Sequence, residues 1–241
     1  MTERTMRERM LAGELYRAED PQLAADDARA QALSHRFNTM DPTDHEGLRA
    51  VLTELLGGFG EGAYVRPPLR CDYGYQTTFG ARAFANWGLV CNDVATITIG
   101  DDVQMGPGVQ LLTSTHPLEP DPRRDKWEAA KPIVIGDNVW LGGGVIVCPG
   151  VTIGPDTVVG AGSVVVRDLP AGVLAVGSPA RIVRRLTDAP EAEPAPEAAP
   201  PTPAATTQPA TSAQPAPPTA AAESAQAESA PAGSPGTAGP V

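Results

Sequence analysis

At 241 residues the chain has room for one large domain or two small ones, and its formal charge of −11 excludes a broadly basic nucleic-acid-binding protein, which needs clustered Lys and Arg. No stretch approaches the roughly 18 apolar residues of a membrane span. Residues 1–16 are charged and helix-like, not a basic cap leading into an apolar run, so no secretory signal is expected and the cytoplasm is the expected compartment. Cys71, Cys91 and Cys148 are odd in number and widely spaced, which predicts free thiols in a reducing environment. No zinc or calcium ligand spacing is present, so no metal site is expected.

Two helices are predicted first, within an N-terminal helical segment spanning residues 1–58. Asp20-Pro21 is a start signal with Pro at the first helical position, and the apolar pattern then runs through Leu23, Ala30 and Leu33 to Phe37. Thr43 with Glu46 reads as a capping box, followed by Leu48, Val51, Leu52, Leu55 and Leu56 at helical spacing and by Gly57-Gly58. Two helices are too few for a bundle, so their apolar faces are expected to pack on the rest of the folded chain.

Beyond Gly58 the pattern changes to a six-residue rhythm. Ile135, Leu141, Val147, Ile153, Val159 and Val165 recur at that period, with Gly after four of them, and Ile99, Met105 and Leu111 repeat it earlier. This period fits short strands joined by tight corners, each aliphatic residue pointing into a narrow prism and each Gly or Asn at a corner needing positive φ. Stacked coils bury a column that no single coil can bury alone. Residues 59–187 are therefore read as a mainly β domain, a parallel β-helix of hexapeptide repeats. The rhythm stops over residues 113–132, a polar insert opened by His116. Insertions in solenoids are loops, where function tends to sit. Residues 188–241 run through Pro, Ala, Ser, Thr and Gln with no aromatic residue, which predicts a disordered C-terminal tail. The tail holds six acidic residues and no basic one, leaving the folded part mildly acidic, at about −5.

Six ordered blocks carry a family resemblance. Met10-Leu-Ala-Gly-Glu-Leu-Tyr16, Arg70-Cys-Asp-Tyr-Gly74, Phe84-Ala-Asn86, Thr115-His116-Pro117, the Ile135 to Gly143 stretch and Gly177-Ser-Pro-Ala-Arg181 resemble the maltose and galactoside O-acetyltransferases of the hexapeptide-repeat superfamily. The resemblance covers residues 6 to about 186. It implies a left-handed coil, a homotrimer with active sites between subunits, and acetyl-CoA as co-substrate with no permanently bound cofactor.

The resemblance also implies roles. His116 matches the general base; an unperturbed imidazole near pKa 6.5 suits that task, whereas His35, in a helical pattern, and His45, in a capping segment, are read as solvated or structural. Gly143 matches the position near the thioester carbonyl, with a corner glycine as the plainer reading. Asn86 matches a residue touching both ligands; Asp72, Asp93 and Glu128 match acceptor-side positions, against a background in which Asn and Asp are common turn residues. Ala161 and Val166 match contacts along the pantetheine arm, and Arg167, Arg181 and Arg184 match phosphate contacts, for which guanidinium is suited. Trp140 is read as walling the arm or packing between subunits. The chain departs from the family at Asp27, where an Arg is usual, and at Ala18, where an acceptor-contacting Asp is usual. The expected activity is acetyl transfer to a sugar hydroxyl of a maltose-, glucose- or galactoside-like acceptor, with serine, an antibiotic or an oligosaccharide as alternative acceptors. A non-catalytic scaffold has no need of His116, Asn86 and the Arg cluster together.

Overall fold

The six-residue rhythm is realised as a parallel β-helix. The computed structural model describes residues 4–188; the expected disordered tail lies, but for its first residue, outside the described residues. Five coils of three strands each follow one another. They are β1 (Gly58–Phe59), β2 (Tyr64–Val65) and β3 (Leu69–Cys71); β4 (Thr77–Phe79), β5 (Phe84–Ala85) and β6 (Leu89–Asn92); and β7 (Ile97–Ile99), β8 (Gln104–Met105) and β9 (Gln110–Leu112). After the insert come β12 (Ile133–Ile135), β13 (Trp140–Leu141) and β14 (Ile146–Val147), then β15 (Thr152–Ile153), β16 (Val158–Val159) and β17 (Val164–Val165). The three faces of the prism are β1-β4-β7-β12-β15, β2-β5-β8-β13-β16 and β3-β6-β9-β14-β17, each paired in parallel. A sixth turn is begun by β18 (Val173–Val176), which extends the second face and folds back as antiparallel β19 (Arg181–Arg185).

The predicted interior column is buried as the period requires: Ile135, Leu141, Val147, Ile153, Val159 and Val165 are all at most 1% exposed. Parallel register stacks each on its counterpart one coil away, as in Ile99, Ile135 and Ile153. Burial of such side chains contributes roughly 1.5–3 kcal/mol each, which no isolated coil could gain.

The corners differ from expectation in an instructive way. The glycine that follows each aliphatic residue does not adopt positive φ; its role is to let the next coil approach. A Cβ on Gly136 would lie 2.6 Å from the Pro155 nitrogen, and one on Gly142 would lie 2.5 Å from that of Ala161. Positive φ falls two residues later, at Asp102, Asn138, Asp156, Gly144 and Gly162. The corner therefore has two distinct requirements, close approach first and a left-handed residue third.

Helices α1 (Met6–Leu11), α2 (Pro21–Thr39) and α3 (His45–Leu55) precede the coils. Asp20 caps α2 as expected, its Oδ1 accepting from the amides of Gln22 at 2.8 Å and Leu23 at 3.2 Å. The cap of α3 is Asp44 and not Thr43. The Thr43 hydroxyl is spent on Asp41 at 2.7 Å, while the Asp44 carboxylate accepts from the Gly47 amide at 2.9 Å. Leu33 and Phe37 of α2 and Leu48, Val51, Leu52 and Leu55 of α3 join the prism core and close its first end. Arg49 donates to the carbonyls of Phe59, Gly60 and Ala63, and Asn38 exchanges two 2.8 Å hydrogen bonds with the backbone of Leu69, standing in for an absent strand. All three cysteines are free thiols. Among the described residues no helix is long and apolar enough to cross a membrane.

Candidate active site

The corner between the third and first faces carries the histidine. Here the insert leaves β9 as a short antiparallel ribbon, β10 (Ser114–Thr115) with β11 (Ala129–Ala130), enclosing the one-turn helix α4 (Pro120–Arg124). His116 follows β10 directly. Its Nδ1 lies 3.3 Å from the carbonyl oxygen of Trp127. A carbonyl only accepts, so in this contact Nδ1 is the donor, and in the neutral imidazole Nε2 is the nitrogen with the lone pair.

His116 lines a cleft of about 540 Å³ together with Ala18, Asp27, Asp72, Asn92, Ser114 and Glu128, closed on the apolar side by Tyr16, Leu23, Tyr73 and Val94. Asp72 and Glu128, two of the predicted acceptor-side residues, are thus beside the histidine. Both departures from the family, Ala18 and Asp27, line the same space. Burial raises the Asp72 carboxyl above the usual carboxylate range, opposed by a hydrogen bond from Asn92 and reinforced by the charges of Asp27 and Glu128. Burial likewise raises Glu128, opposed by the nearby His116 ring and by a hydrogen bond from the Tyr16 hydroxyl.

Asp93 is placed elsewhere. It is fully buried, and its carboxylate accepts from the amides of Asp72 at 3.0 Å and Tyr73 at 2.9 Å and from the Thr77 hydroxyl at 3.1 Å. Burial pushes it up to about 6 against those bonds. The alternation of β6 turns Asp93 inward and leaves its neighbours Asn92 and Val94 to face the cleft. Asp93 thus ties one coil to the next and, being fully buried, does not line the cleft.

The donor-side residues separate into two groups. Asn86, Gly143 and Ala161 stack on the corner between the second and third faces, where Gly108 donates to Trp87, Gly144 to Pro107 and Gly162 to Gly143. The Asn86 Oδ1 accepts from the Trp87 amide at 2.9 Å. The Gly143 N–H has no acceptor among the described residues. Val166 and Arg167 lie on the histidine corner, just after β17. Arg181 and Arg184 lie on β19, where a register shift between Leu174 and Ala175 brings both opposite the outward residues Val176 and Leu174. Without that bulge the two arginines, three apart, would face opposite ways. Trp140, 56% exposed, lies on the outer side of the second face. His35 and His45 are exposed on α2 and α3, away from the cleft.

Sequence reasoning missed Tyr16, Asn92, Ser114 and Trp127. Tyr16 was visible as the last residue of a matched block. The others carry no local signal.

Residues 9–60 match the maltose acetyltransferase hexapeptide capping motif, and residues 132–167 match the bacterial transferase hexapeptide (six repeats). The chain is 48% identical to nodulation protein L of Rhizobium meliloti over 179 residues, 74% of this chain and 98% of the relative. The crystal structure of a maltose O-acetyltransferase from Clostridium difficile superimposes with a TM-score of 0.75 at 40% identity, covering 77% of this chain and 99% of that one. A galactoside acetyltransferase solved in complex with coenzyme A gives 0.74 at 37% identity, covering 77% and 93%. With its capping helices, its stacked hexapeptide coils and relatives of this similarity along nearly their whole length, the chain belongs to the maltose and galactoside O-acetyltransferase family of hexapeptide-repeat transferases and is an acetyltransferase.

Proposed function

We propose that the chain transfers the acetyl group of acetyl-CoA to a sugar hydroxyl by direct attack, with Nε2 of His116 as general base. The observation that carries this reading is the contact between His116 Nδ1 and the Trp127 carbonyl, 3.3 Å, which holds the ring in the tautomer that can accept a proton at Nε2. Nε2 takes the acceptor's hydroxyl proton as the oxygen attacks the thioester carbon. The tetrahedral oxyanion then collapses, the carbon–sulfur bond breaks, and the leaving thiolate recovers the proton from the imidazolium. The Gly143 N–H is the donor offered to the oxyanion. Asp72 and Glu128 orient the acceptor's hydroxyl groups. Asn86, Ala161, Val166, Arg167, Arg181 and Arg184 hold coenzyme A by the family resemblance, and the choice of that donor is supported by the relative solved with it.

His116 and Gly143 lie on different corners of one prism, so a single chain does not bring base and oxyanion donor to one thioester. A ring of copies with rotational symmetry sets one corner of each prism against a different corner of the next. We assign the protein to a homotrimer because the family resemblance implies one, and the separation of the two corners supports active sites between subunits. Three free thiols fit the reducing cytoplasm as the compartment.

A second reading, in which the acceptor is a different hydroxyl compound, is favoured by Ala18 and Asp27 lining the acceptor cleft. Release of free thiol from acetyl-CoA, measured over a panel of glucosides, galactosides, maltose, serine and chloramphenicol, tests both. Release with a sugar supports the first reading and release with serine or the antibiotic alone the second. No release with any acceptor, together with no acetyl-CoA binding, overturns both.

A further inference from the structure

We infer that residues 9–17 hold the catalytic loop from outside, with Tyr16 and Trp127 as positioning residues that fix the tautomer of His116. This rests on the reading of His116 as general base. The loop has little structure of its own: β10 and β11 share two residue pairs, and α4 is a single turn without a side-chain cap. Yet the Trp127 carbonyl must stay aimed at the imidazole. Three sets of contacts hold it there.

Two guanidinium groups lie over the Trp127 ring, Arg9 at 5.4 Å and Arg17 at 5.3 Å from its centroid. Each is within the range of a cation–π attraction, and tryptophan is the ring that gives the strongest one. The next residue, Glu128, exchanges both backbone hydrogen bonds with Tyr16 at 3.0 Å, and the Tyr16 side chain, in a residue only 1% exposed, lines the same cleft as Glu128. On the other side the Trp127 amide donates to the Pro122 carbonyl at 3.0 Å, and Lys126 turns the chain with φ of 65°. A lysine at positive φ is an unfavourable conformation that surrounding contacts must maintain. The carbonyl facing His116 is therefore fixed by its own ring, its own amide and its successor, and two of those three anchors belong to the N-terminal segment. The same grip keeps the Glu128 carboxylate in the cleft that His116 lines.

The test joins kinetics to a direct view of the ring. In the full-length protein, Arg9→Met with Arg17→Met is expected to lower kcat by about 10- to 100-fold, as for a catalytic group displaced by a fraction of an ångström to an ångström. KM for acetyl-CoA should stay within about twofold, because the donor groups are untouched. Arg9→Lys with Arg17→Lys keeps both cations and should recover most of the rate. Trp127→Phe should fall between wild type and Trp127→Leu, a graded series that still reads if the double Met variant does not fold. Solid-state NMR of protein labelled with ¹⁵N-histidine, with the His116 signals assigned by their loss in His116→Asn, should report a single Nδ1–H tautomer in wild type and a mixture in the Met variant. A Met variant that keeps wild-type kcat and a single tautomer overturns the clamp. A mixed tautomer with unchanged kcat supports the clamp and overturns the general-base reading on which its purpose rests.

Discussion

Two corners of this prism stack their coils by different chemistry. Between the second and third faces, Gly106 meets Gly143 and Gly142 meets Ala161 at separations where no Cβ fits, so backbone lies directly on backbone. Between the third and first faces, side chains do the joining. Asp93 accepts from Asp72 and Tyr73, Thr113 donates to the Asn92 carbonyl at 2.6 Å and accepts from Ala95 at 3.0 Å, and the Ser114 amide donates to Asn92 Oδ1 at 3.0 Å. The first corner presents smooth backbone. The second offers polar side chains and can open into a loop, and there the histidine sits. One repeat thus yields two chemically different corners, which the proposed mechanism uses as a binding surface and a reaction surface, by changing what occupies them.

The contrast between the corners is lost most completely by a change at the histidine. His116→Ala is expected to cost about 10²–10⁴-fold in kcat, the usual range for general-base assistance, with the melting temperature unchanged because the ring is exposed and supports no core. A purified variant of unchanged oligomeric state that still turns over would remove the proton-accepting role from this corner.

On the glycine corner the expected effect is on stability. Gly142→Ala places a methyl group 2.5 Å from the Ala161 nitrogen, in a coil that cannot recede, and is expected to destabilise by about 2–3 kcal/mol. Gly144→Ala, in the same corner, meets nothing within 4 Å and only forces alanine to φ of 68°, at about 1 kcal/mol. Denaturant melts of the pair separate close approach from left-handed backbone. Equal losses would contradict the division of labour within the corner.

A smaller effect is expected within the polar corner. The fold raises Asp93 from 3.8 to about 6, with burial as the largest cause. The folded chain therefore keeps a proton that the unfolded chain releases between about pH 4 and 6, and the contribution of this group to stability falls as pH rises across that window. Asp93→Asn removes that dependence. Its unfolding free energy relative to wild type should rise by on the order of 2 kcal/mol from pH 4 to pH 7. A flat difference would mean that the carboxyl is not destabilised when charged.

The glycine corner was largely legible in the sequence, and the histidine corner only in part. A repeat states its interior residue and its close glycine at each strand end, so Ile135 through Val165, Gly142 and Gly160 on this corner, and Gly136 and Gly154 on the corner between the first and second faces, could be read by period alone. The assignment of positive φ to those glycines failed because the period does not say which of three corner residues is left-handed. At the histidine corner, Asp93 and Asn92 differ by one place, and only the parity of β6 decides which faces the cleft. Thr43 and Asp44 differ likewise by one, and the choice turned on Asp41 engaging the threonine. The grip of Arg9, Tyr16 and Arg17 on Trp127 and Glu128 joins segments remote in sequence through single residues of no special pattern, which leaves no periodic trace.

The proposed mechanism stands or falls on whether the two corners meet between two copies of the chain. Mixing His116→Ala with Asn86→Ala, each expected to be inactive alone, under conditions of subunit exchange tests this directly. Random assembly around a three-fold axis leaves about a quarter of the sites with both an intact histidine and an intact asparagine. About that fraction of wild-type turnover should return once mass spectrometry confirms mixed trimers. Mixed trimers that stay as inactive as the parents would contradict a site shared between subunits.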